Sequence, residues 1–145
     1  MKVVAVALSP ASPERLTRVV IGQPSATELA ELARDGAKVV LDLRLPGEAR
    51  GFDEATAVAA AGMSYRNLGI AGPTGLTPDN VREFARLVDD PANHPLVLHC
   101  ATANRVGALA ALKAAWHDGR GADAALALGR EAGMRAIEPA VRALL

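Results

Sequence analysis

The only cysteine of the chain is followed five residues later by an arginine, and these two side chains could serve one reaction. Cys100 ends a short apolar run at residues 96–99, and Arg105 precedes a long run rich in alanine and leucine. This pattern predicts a buried strand, a tight turn and a buried helix. A thiol at the start of a helix lies beside unpaired backbone N–H groups and the positive end of the helix dipole, and both favour the thiolate.

The same turn could bind an anion. The N–H groups at the start of a helix bind phosphate or sulfate, and the guanidinium of Arg105 is a planar, permanently charged fork that matches the oxygens of such anions. We therefore predict that Cys100 faces an anion site. The alternative is that Cys100 is a small buried hydrophobic residue and that Arg105 pairs with an acid at the surface.

The composition limits the classes of protein to consider. The 145 residues are 50% hydrophobic and 22% charged, which predicts one domain over residues 1–145. Sixteen basic and sixteen acidic residues give a formal net charge of zero, so we expect no nucleic-acid partner and no membrane partner. A single cysteine excludes an internal disulfide, and the N-terminal residues lack a secretory pattern. We expect a cytoplasmic location, where a thiol stays reduced.

Strand and helix patterns alternate along the chain. The first strand pattern ends at Pro10 and Pro13, so we interpret residues 1–17 as an edge strand or an arm. Continuous apolar runs predict further strands, and capping residues with apolar stripes predict helices between them. The predicted strands are 18–22, 38–43, 63–68 and 96–99, and the predicted helices follow Ser25, Asp53, Thr77 and Asn104. Residues 119–145 are predicted to form two further helices with a break near Gly133. This order predicts an α/β fold with a central, mainly parallel sheet of four to five strands flanked by helices.

Two other charged residues follow the carboxyl end of a predicted strand, as Cys100 does. Arg44 and Glu48 come after strand 38–43, and ligands of parallel sheets bind where strand ends meet helix starts. They are auxiliary candidates for the site, although a salt bridge that pins the loop would explain them equally well. The irregular loop 69–75 also follows a strand, and we expect it to border the same mouth.

Several short motifs occur together in an order that matches a known family. They are His99-Cys100, Asn104-Arg105-Val106-Gly107, Gly22-Gln23-Pro24-Ser25, and Leu41-Asp42-Leu43-Arg44 with Glu48. On these motifs the chain resembles the bacterial dual-specificity-phosphatase-like family of cysteine phosphatases, which includes the phosphatase-like domain found beside β-lactamase-like hydrolases. The resemblance extends from about residue 18 to residue 135.

The resemblance implies the cysteine-phosphatase fold and a hydrolase that acts on a phosphomonoester. By the same resemblance Cys100 is the nucleophile and Arg105 binds the phosphate, and the substrate-binding loop is Ala101, Thr102, Ala103 and Asn104. The thiolate attacks phosphorus, and water then hydrolyses the cysteinyl-phosphate. The implied reaction needs no metal and no organic cofactor, and the expected partner is a phosphorylated small molecule or a phosphoprotein.

The chain departs from the family pattern at three points. Four residues, where cysteine phosphatases usually have five, separate Cys100 from Arg105, and many rhodanese-like sulfurtransferases share this spacing. Ala103 stands where glycine is common, so a left-handed backbone there would be strained. Val106 replaces the hydroxyl residue that usually follows the arginine.

The usual position of the general acid in the family holds no acidic residue in this chain. Related phosphatases carry an aspartate on a loop before the cysteine, but loop 69–75 contains no acid. Asp79 and Glu48 are the auxiliary candidates, and stabilisation of a helix dipole already explains Asp79. Three functions therefore stay open: a phosphatase, a sulfur carrier with a persulfide on Cys100, and an anion-binding regulatory domain without turnover.

Overall fold

Five short strands form one sheet in the centre of the molecule. The computed structural model describes residues 1–145, and the strand order across the sheet is β1-β2-β5-β3-β4. The strands are β1 (Val3–Val6), β2 (Thr17–Val20), β3 (Val39–Asp42), β4 (Ser64–Asn67) and β5 (Leu96–His99). Only β1 runs antiparallel to its neighbour, so the prediction of a mainly parallel sheet of four to five strands is confirmed.

Six α-helices flank the sheet, and the first three of them connect successive strands. They are α1 (Ala26–Arg34), α2 (Glu54–Ala60), α3 (Pro78–Asp89), α4 (Asn104–Trp116), α5 (Ala122–Glu131) and α6 (Glu138–Arg142). Short 3₁₀ turns lie at Pro73–Gly75 and Pro91–Asn93. No helix combines the length and the apolar character that crossing a bilayer requires.

Alternate side chains of the central strands enter two separate cores. Val40 of β3 and Val97 of β5 pack with Leu29 of α1 in the smaller core, which also contains residues of α2. Their neighbours Leu41 and Leu98 lie in the larger core, which contains residues of α3, α4, α5 and α6. All four residues of β3 and of β5 are buried, as expected for strands covered on both faces.

The helix starts follow local capping rules. The Ser25 hydroxyl accepts from the Glu28 amide at 3.1 Å, and the Glu28 carboxylate accepts from the Ser25 amide at 2.9 Å, which completes the predicted capping box. The Thr77 hydroxyl accepts from the Asn80 amide at 3.2 Å, with Pro78 at the first helical position.

Helices α4 and α5 approach each other closely, and this contact brings the turn after α5 against the cysteine turn. A Cβ on Gly107 would lie 2.2 Å from the Met134 nitrogen, and a Cβ on Gly133 would lie 2.5 Å from the Ala103 Cβ. Gly133 has φ +114°, a conformation that glycine adopts at little cost. Glycine at both positions therefore lets residues 133–137 form one wall of the turn that contains Cys100.

A buried lysine holds the N-terminal segment against the larger core. The Lys113 ammonium of α4 donates to the Leu8 carbonyl at 2.7 Å and to the Asp118 carboxylate at 2.8 Å. It also lies 3.0 Å from an oxygen of Asp89 at the end of α3. Three acceptors satisfy the three N–H groups of this cation, as a fully buried lysine requires.

Candidate active site

The turn between β5 and α4 forms a cradle of backbone N–H groups. Cys100 follows the last residue of β5, and α4 begins at Asn104. The amides of residues 101–106 donate to no backbone carbonyl, and Gly107 is the first that does, to the Ala103 carbonyl at 2.9 Å. Unpaired amides at the start of a helix, together with the helix dipole, favour the binding of an anion. The structure thus brings the predicted substrate-binding residues 101–104 around Cys100.

Ala103 adopts the left-handed conformation that the sequence identifies as strained. Its backbone has φ 66° and ψ 0°, and no other non-glycine residue of the chain has a positive φ. Two contacts hold the turn in this shape: the close packing of Gly133 on Ala103, and the Asn104 side chain. The Asn104 carbonyl oxygen accepts from the Arg135 amide at 2.8 Å and from the Ile137 amide at 3.3 Å.

Ala103→Gly is expected to stabilise the protein by about 1 kcal/mol, because glycine relieves the left-handed strain but makes the unfolded chain more flexible. Chemical denaturation of the two proteins measures the difference. Ala101→Gly, in the same turn but without positive φ, is the matched control, and we expect it to lose about 0.5–1 kcal/mol. Equal destabilisation of both variants would show that Ala103 is not strained.

The guanidinium of Arg105 is held by the protein along one edge and leaves another edge free. Its NH1 donates to Glu48 at 2.7 Å and to the Ile70 carbonyl at 2.7 Å, and its NH2 donates to Glu48 at 2.9 Å. Three of the five N–H groups are therefore used. The Nε–H and the second N–H of NH2 share the remaining edge, which has the geometry for two parallel bonds to a phosphate.

Hydrogen bonds to Glu48 are the main cause that raises the pKa of Arg105, and they outweigh the opposing effect of burial. The same contact acts in the opposite direction on the acid. Hydrogen bonds from Arg105, then from the Leu45 amide and from Arg44, hold the pKa of Glu48 at about 2. Glu48 is therefore ionised throughout the neutral range, and its charge is lost only in strong acid.

A chain of polar contacts continues from Glu48 to the residue before Cys100. Arg44 donates to Glu48 at 3.2 Å and to the Gln23 carbonyl oxygen at 3.0 Å, and the Gln23 amide donates to Glu54 at 2.6 Å. The other oxygen of Glu54 lies 2.5 Å from His99 Nε2, and His99 Nδ1 lies 3.1 Å from the carbonyl oxygen of Cys100. We call this series of side chains, from Arg105 to His99, the polar chain.

A third acidic residue, Asp42, lies beside the polar chain and has its own partners. The fully buried carboxylate of Asp42 accepts from Arg50 at 2.7 Å and from the Tyr65 hydroxyl at 2.6 Å. Burial, followed by the bond to Asp42, raises the pKa of Tyr65. Asp42, Glu54 and His99 offer metal-ligand atoms within 4.8 Å of one another, but the Arg50 guanidinium already contacts both carboxylates. These residues thus fit a hydrogen-bonded ion cluster better than a metal site.

Glu48→Gln is expected to lower kcat/KM for a phosphate ester about 100-fold, because loss of the carboxylate releases the edge that positions Arg105. Steady-state kinetics with separate kcat and KM values measures the effect, and the melting temperature checks that the variant folds. Glu83→Gln is the control, since Glu83 pairs with Arg86 on the exposed side of α3. Full activity of Glu48→Gln would show that Arg105 needs no positioning partner.

A small open cleft of about 300 Å³ lies beside the cysteine turn, and the fully buried Cys100 is not among its lining residues. Thr102, Asn104 and Arg105 form its floor, and residues 71–73 and 136–137 form its walls. Residues 71–73 of loop 69–75 therefore border this cleft. Of the auxiliary candidates, Arg44 and Glu48 join the site through Arg105, whereas Asp79 is 89% exposed, pairs with Arg82 and does not line the cleft.

Two site residues were not identified from the sequence. Glu54 follows the N-cap Asp53 and has the pattern of an ordinary acid in a first helical turn, yet its side chain is buried against His99. Gln23 has the pattern of a strand-to-helix connection, yet its side chain joins Arg44 to Glu54. The only signal in the sequence is that Gln23 belongs to a motif of the resemblance, and nothing local marks Glu54.

Comparison with known proteins gives one family-model match and one curated relative. Residues 12–139 match the family model described as DSP-PTPase phosphatase fused to NAD+ kinase. Over 96 residues the chain is 34% identical to the Beta-lactamase hydrolase-like protein of Agrobacterium fabrum. That alignment covers 63% of this chain and 21% of the relative, so the chain spans about a fifth of the length of the curated protein it matches.

Several solved structures share the fold at low sequence identity. Kinase-associated phosphatase, with its catalytic-site cysteine replaced by serine, has a TM-score of 0.76 at 14% identity and covers 99% of this chain and 92% of its own. TpbA from P. aeruginosa, in complex with pTyr, has a TM-score of 0.68 at 19% identity, with coverage of 97% and 86%. A PP-IP phosphatase core domain from S. cerevisiae, in complex with citrate, has a TM-score of 0.67 at 16% identity, with coverage of 87% and 79%.

Proposed function

The chain belongs to the family described as DSP-PTPase phosphatase fused to NAD+ kinase, and on that basis we propose that it is a cysteine-dependent phosphatase that hydrolyses a phosphomonoester. One observation carries the proposal: the unpaired amides of residues 101–106 directly follow Cys100, and Arg105, which has one free edge, is close enough to Cys100 to interact with its sulfur. These donors suit the oxygens of a phosphoryl group.

In the first step the Cys100 thiolate attacks phosphorus. The S–P bond forms as the P–O bond to the leaving group breaks, and the electron pair of that bond departs with the leaving oxygen. The amides of the turn and the Nε/NH2 edge of Arg105 hold the other phosphoryl oxygens, where charge is concentrated in the transition state. The leaving group then faces the open cleft formed by residues 71–73 and 136–137.

In the second step water attacks the cysteinyl-phosphate. The P–O bond to water forms, the S–P bond breaks, and Cys100 leaves as a thiolate while the water proton passes to the phosphate product. The unpaired amides and Arg105 also favour the departing thiolate. Neither step uses a group beyond the substrate, water and this chain's own residues.

The cleft limits the kind of substrate only weakly. Its walls consist of small or short side chains, and its volume of about 300 Å³ leaves the phosphoryl group near the surface. A phosphorylated small molecule or a phosphoprotein side chain could therefore reach Cys100. We place the activity in the cytoplasm, where the thiol stays reduced.

Hydrolysis of p-nitrophenyl phosphate by the purified protein tests the proposal. We expect inorganic phosphate and nitrophenol in equal amounts, and inhibition by added inorganic phosphate. A parallel incubation with thiosulfate tests the sulfur-carrier alternative by intact mass. No release above the protein-free blank, together with the gain of one sulfur on Cys100, would overturn the phosphatase in favour of that alternative.

A further inference from the structure

The cleft beside the cysteine turn, which Thr102, Asn104 and Arg105 line, offers no group that could protonate a departing oxygen. From this, and resting on the proposed function, we infer that the protein acts on phosphates whose leaving group departs as a stable anion. Acyl phosphates and phosphoanhydrides are the best substrates of this kind, followed by aryl phosphates, and alkyl phosphates are the poorest.

The walls of the cleft consist of groups that do not exchange protons near neutral pH. Residues 71–73 are alanine, glycine and proline, and residues 136–137 are alanine and isoleucine. The floor adds a hydroxyl from Thr102, an amide from Asn104 and the permanently charged Arg105. A leaving group in this cleft therefore meets apolar or neutral surface on every side except at Arg105.

The nearest carboxylate, Glu48, is held in its ionised form. Both of its oxygens accept from Arg105, and it accepts further bonds from Arg44 and from the Leu45 amide at 2.6 Å. These four N–H donors keep Glu48 ionised throughout the neutral range. Glu48 thus positions Arg105 and cannot serve as a general acid.

The other acids near the sheet edge are directed elsewhere. Asp42 is fully buried beneath Arg50 and Tyr65, and Glu54 is bound by Gln23 and His99. Neither lines the cleft. Asp79 is exposed on α3 and pairs with Arg82. The first step must therefore release the leaving oxygen with its electron pair and without a proton from the protein.

This requirement separates substrate classes by the basicity of the oxygen that leaves. The relevant quantity is the pKa of the conjugate acid of the leaving oxygen. It is about 15.7 for hydroxide, which an alkoxide resembles in basicity, and about 10 for a phenoxide of the tyrosine type. It is about 6 for a phosphate leaving group and about 4 for an aliphatic carboxylate. The last two leave readily as anions, whereas an alkoxide depends on a general acid.

A series of substituted phenyl phosphates with leaving phenols of different pKa tests the inference. We expect kcat/KM to fall about tenfold for each unit increase in the pKa of the phenol, the limit in which the leaving oxygen carries a full charge. Acetyl phosphate and pyrophosphate should be hydrolysed, and glycerol phosphate should not be hydrolysed detectably.

A variant that restores an acid supplies the matched control. Ala71 is exposed on the cleft wall, so Ala71→Asp places a carboxyl beside the leaving group, and Ala71→Asn places a neutral group of the same size there. In assays near pH 4, where about half of an exposed aspartic acid is protonated, we expect Ala71→Asp alone to flatten the dependence of kcat/KM on the pKa of the phenol.

The outcomes separate this inference from the proposed function. If no phenyl phosphate is hydrolysed in a Cys100-dependent manner, the proposed phosphatase itself fails. If the wild type hydrolyses the whole series at rates independent of the pKa of the phenol, the phosphatase stands and the inference is wrong.

Discussion

Cys100→Ser is expected to lower kcat for every phosphate substrate by at least about 10⁴-fold. The serine hydroxyl is almost entirely protonated near neutral pH. The neighbouring amides and Arg105 are hydrogen-bond donors only, so they cannot accept the hydroxyl proton as a general base. The substitution is nearly isosteric in a fully buried position, so the fold should persist. Release of inorganic phosphate over hours measures the residual rate.

The same variant should keep its anion site. Inorganic phosphate should raise the melting temperature of Cys100→Ser at least as much as that of the wild type, because the cradle and Arg105 are intact. A Cys100→Ser protein that turns over at the wild-type rate would remove Cys100 from the mechanism. A variant that neither turns over nor responds to phosphate would instead indicate a damaged site.

Arg105→Lys is expected to lower kcat/KM about 10³-fold although the positive charge is kept. Lysine cannot span Glu48 and the Ile70 carbonyl while presenting two parallel donors to a phosphate, as the guanidinium does at 2.7–2.9 Å. Most of the loss should fall on kcat, because the transition state gathers more charge on the phosphoryl oxygens than the substrate has. Steady-state kinetics on p-nitrophenyl phosphate measures both constants.

Arg82→Lys is the matched control for this substitution. Arg82 is 66% exposed on α3 and pairs with Asp79, so we expect its replacement to leave kcat, KM and the melting temperature unchanged. If Arg105→Lys retained more than about a tenth of the wild-type kcat/KM, a positive charge alone would be enough to stabilise the transition state. Two parallel hydrogen bonds from Arg105 would then not be needed.

The local features of the fold and of the site could be predicted from the sequence because interactions between residues close in sequence determine them. The capping box of Ser25, the helix start at Thr77 and the strand–cysteine–helix unit each depend on residues within a few positions of one another. The alternation of strands and helices then restricts the sheet to a mainly parallel order. The strain at Ala103 could also be predicted, because alanine occupies a position of a tight turn where glycine is common and where the backbone has a positive φ.

Apart from the local Arg44–Glu48 pair, the polar chain could not be predicted because its members lie far apart in sequence. Glu48 and Arg105 are separated by 57 positions, and Glu54 and His99 by 45. Each carboxylate has an ordinary local explanation: Glu48 as a partner of Arg44, and Glu54 as an acid in the first turn of α2. Only the sheet order, which places β3 beside β5, brings both of them to the cysteine turn.

The role of residues 133–137 was hidden for a related reason. The sequence marks a helix break near Gly133, but not what the break contacts. Close approach of α5 to α4 at Gly107 sets Gly133 against Ala103 and places two amides on the Asn104 side chain. The shape of the anion cradle is therefore imposed partly by a segment about thirty residues downstream, which explains how an alanine can hold a left-handed conformation there.

Trapping the covalent intermediate is the most direct test of Cys100 as the nucleophile. Wild-type protein mixed with p-nitrophenyl phosphate should be quenched by rapid denaturation during turnover, and its intact mass and peptide masses measured. We expect one added phosphoryl group, located on Cys100 and absent from Cys100→Ser. Turnover with no phosphoryl group on Cys100, or with the group on another residue such as His99, would contradict this role of Cys100.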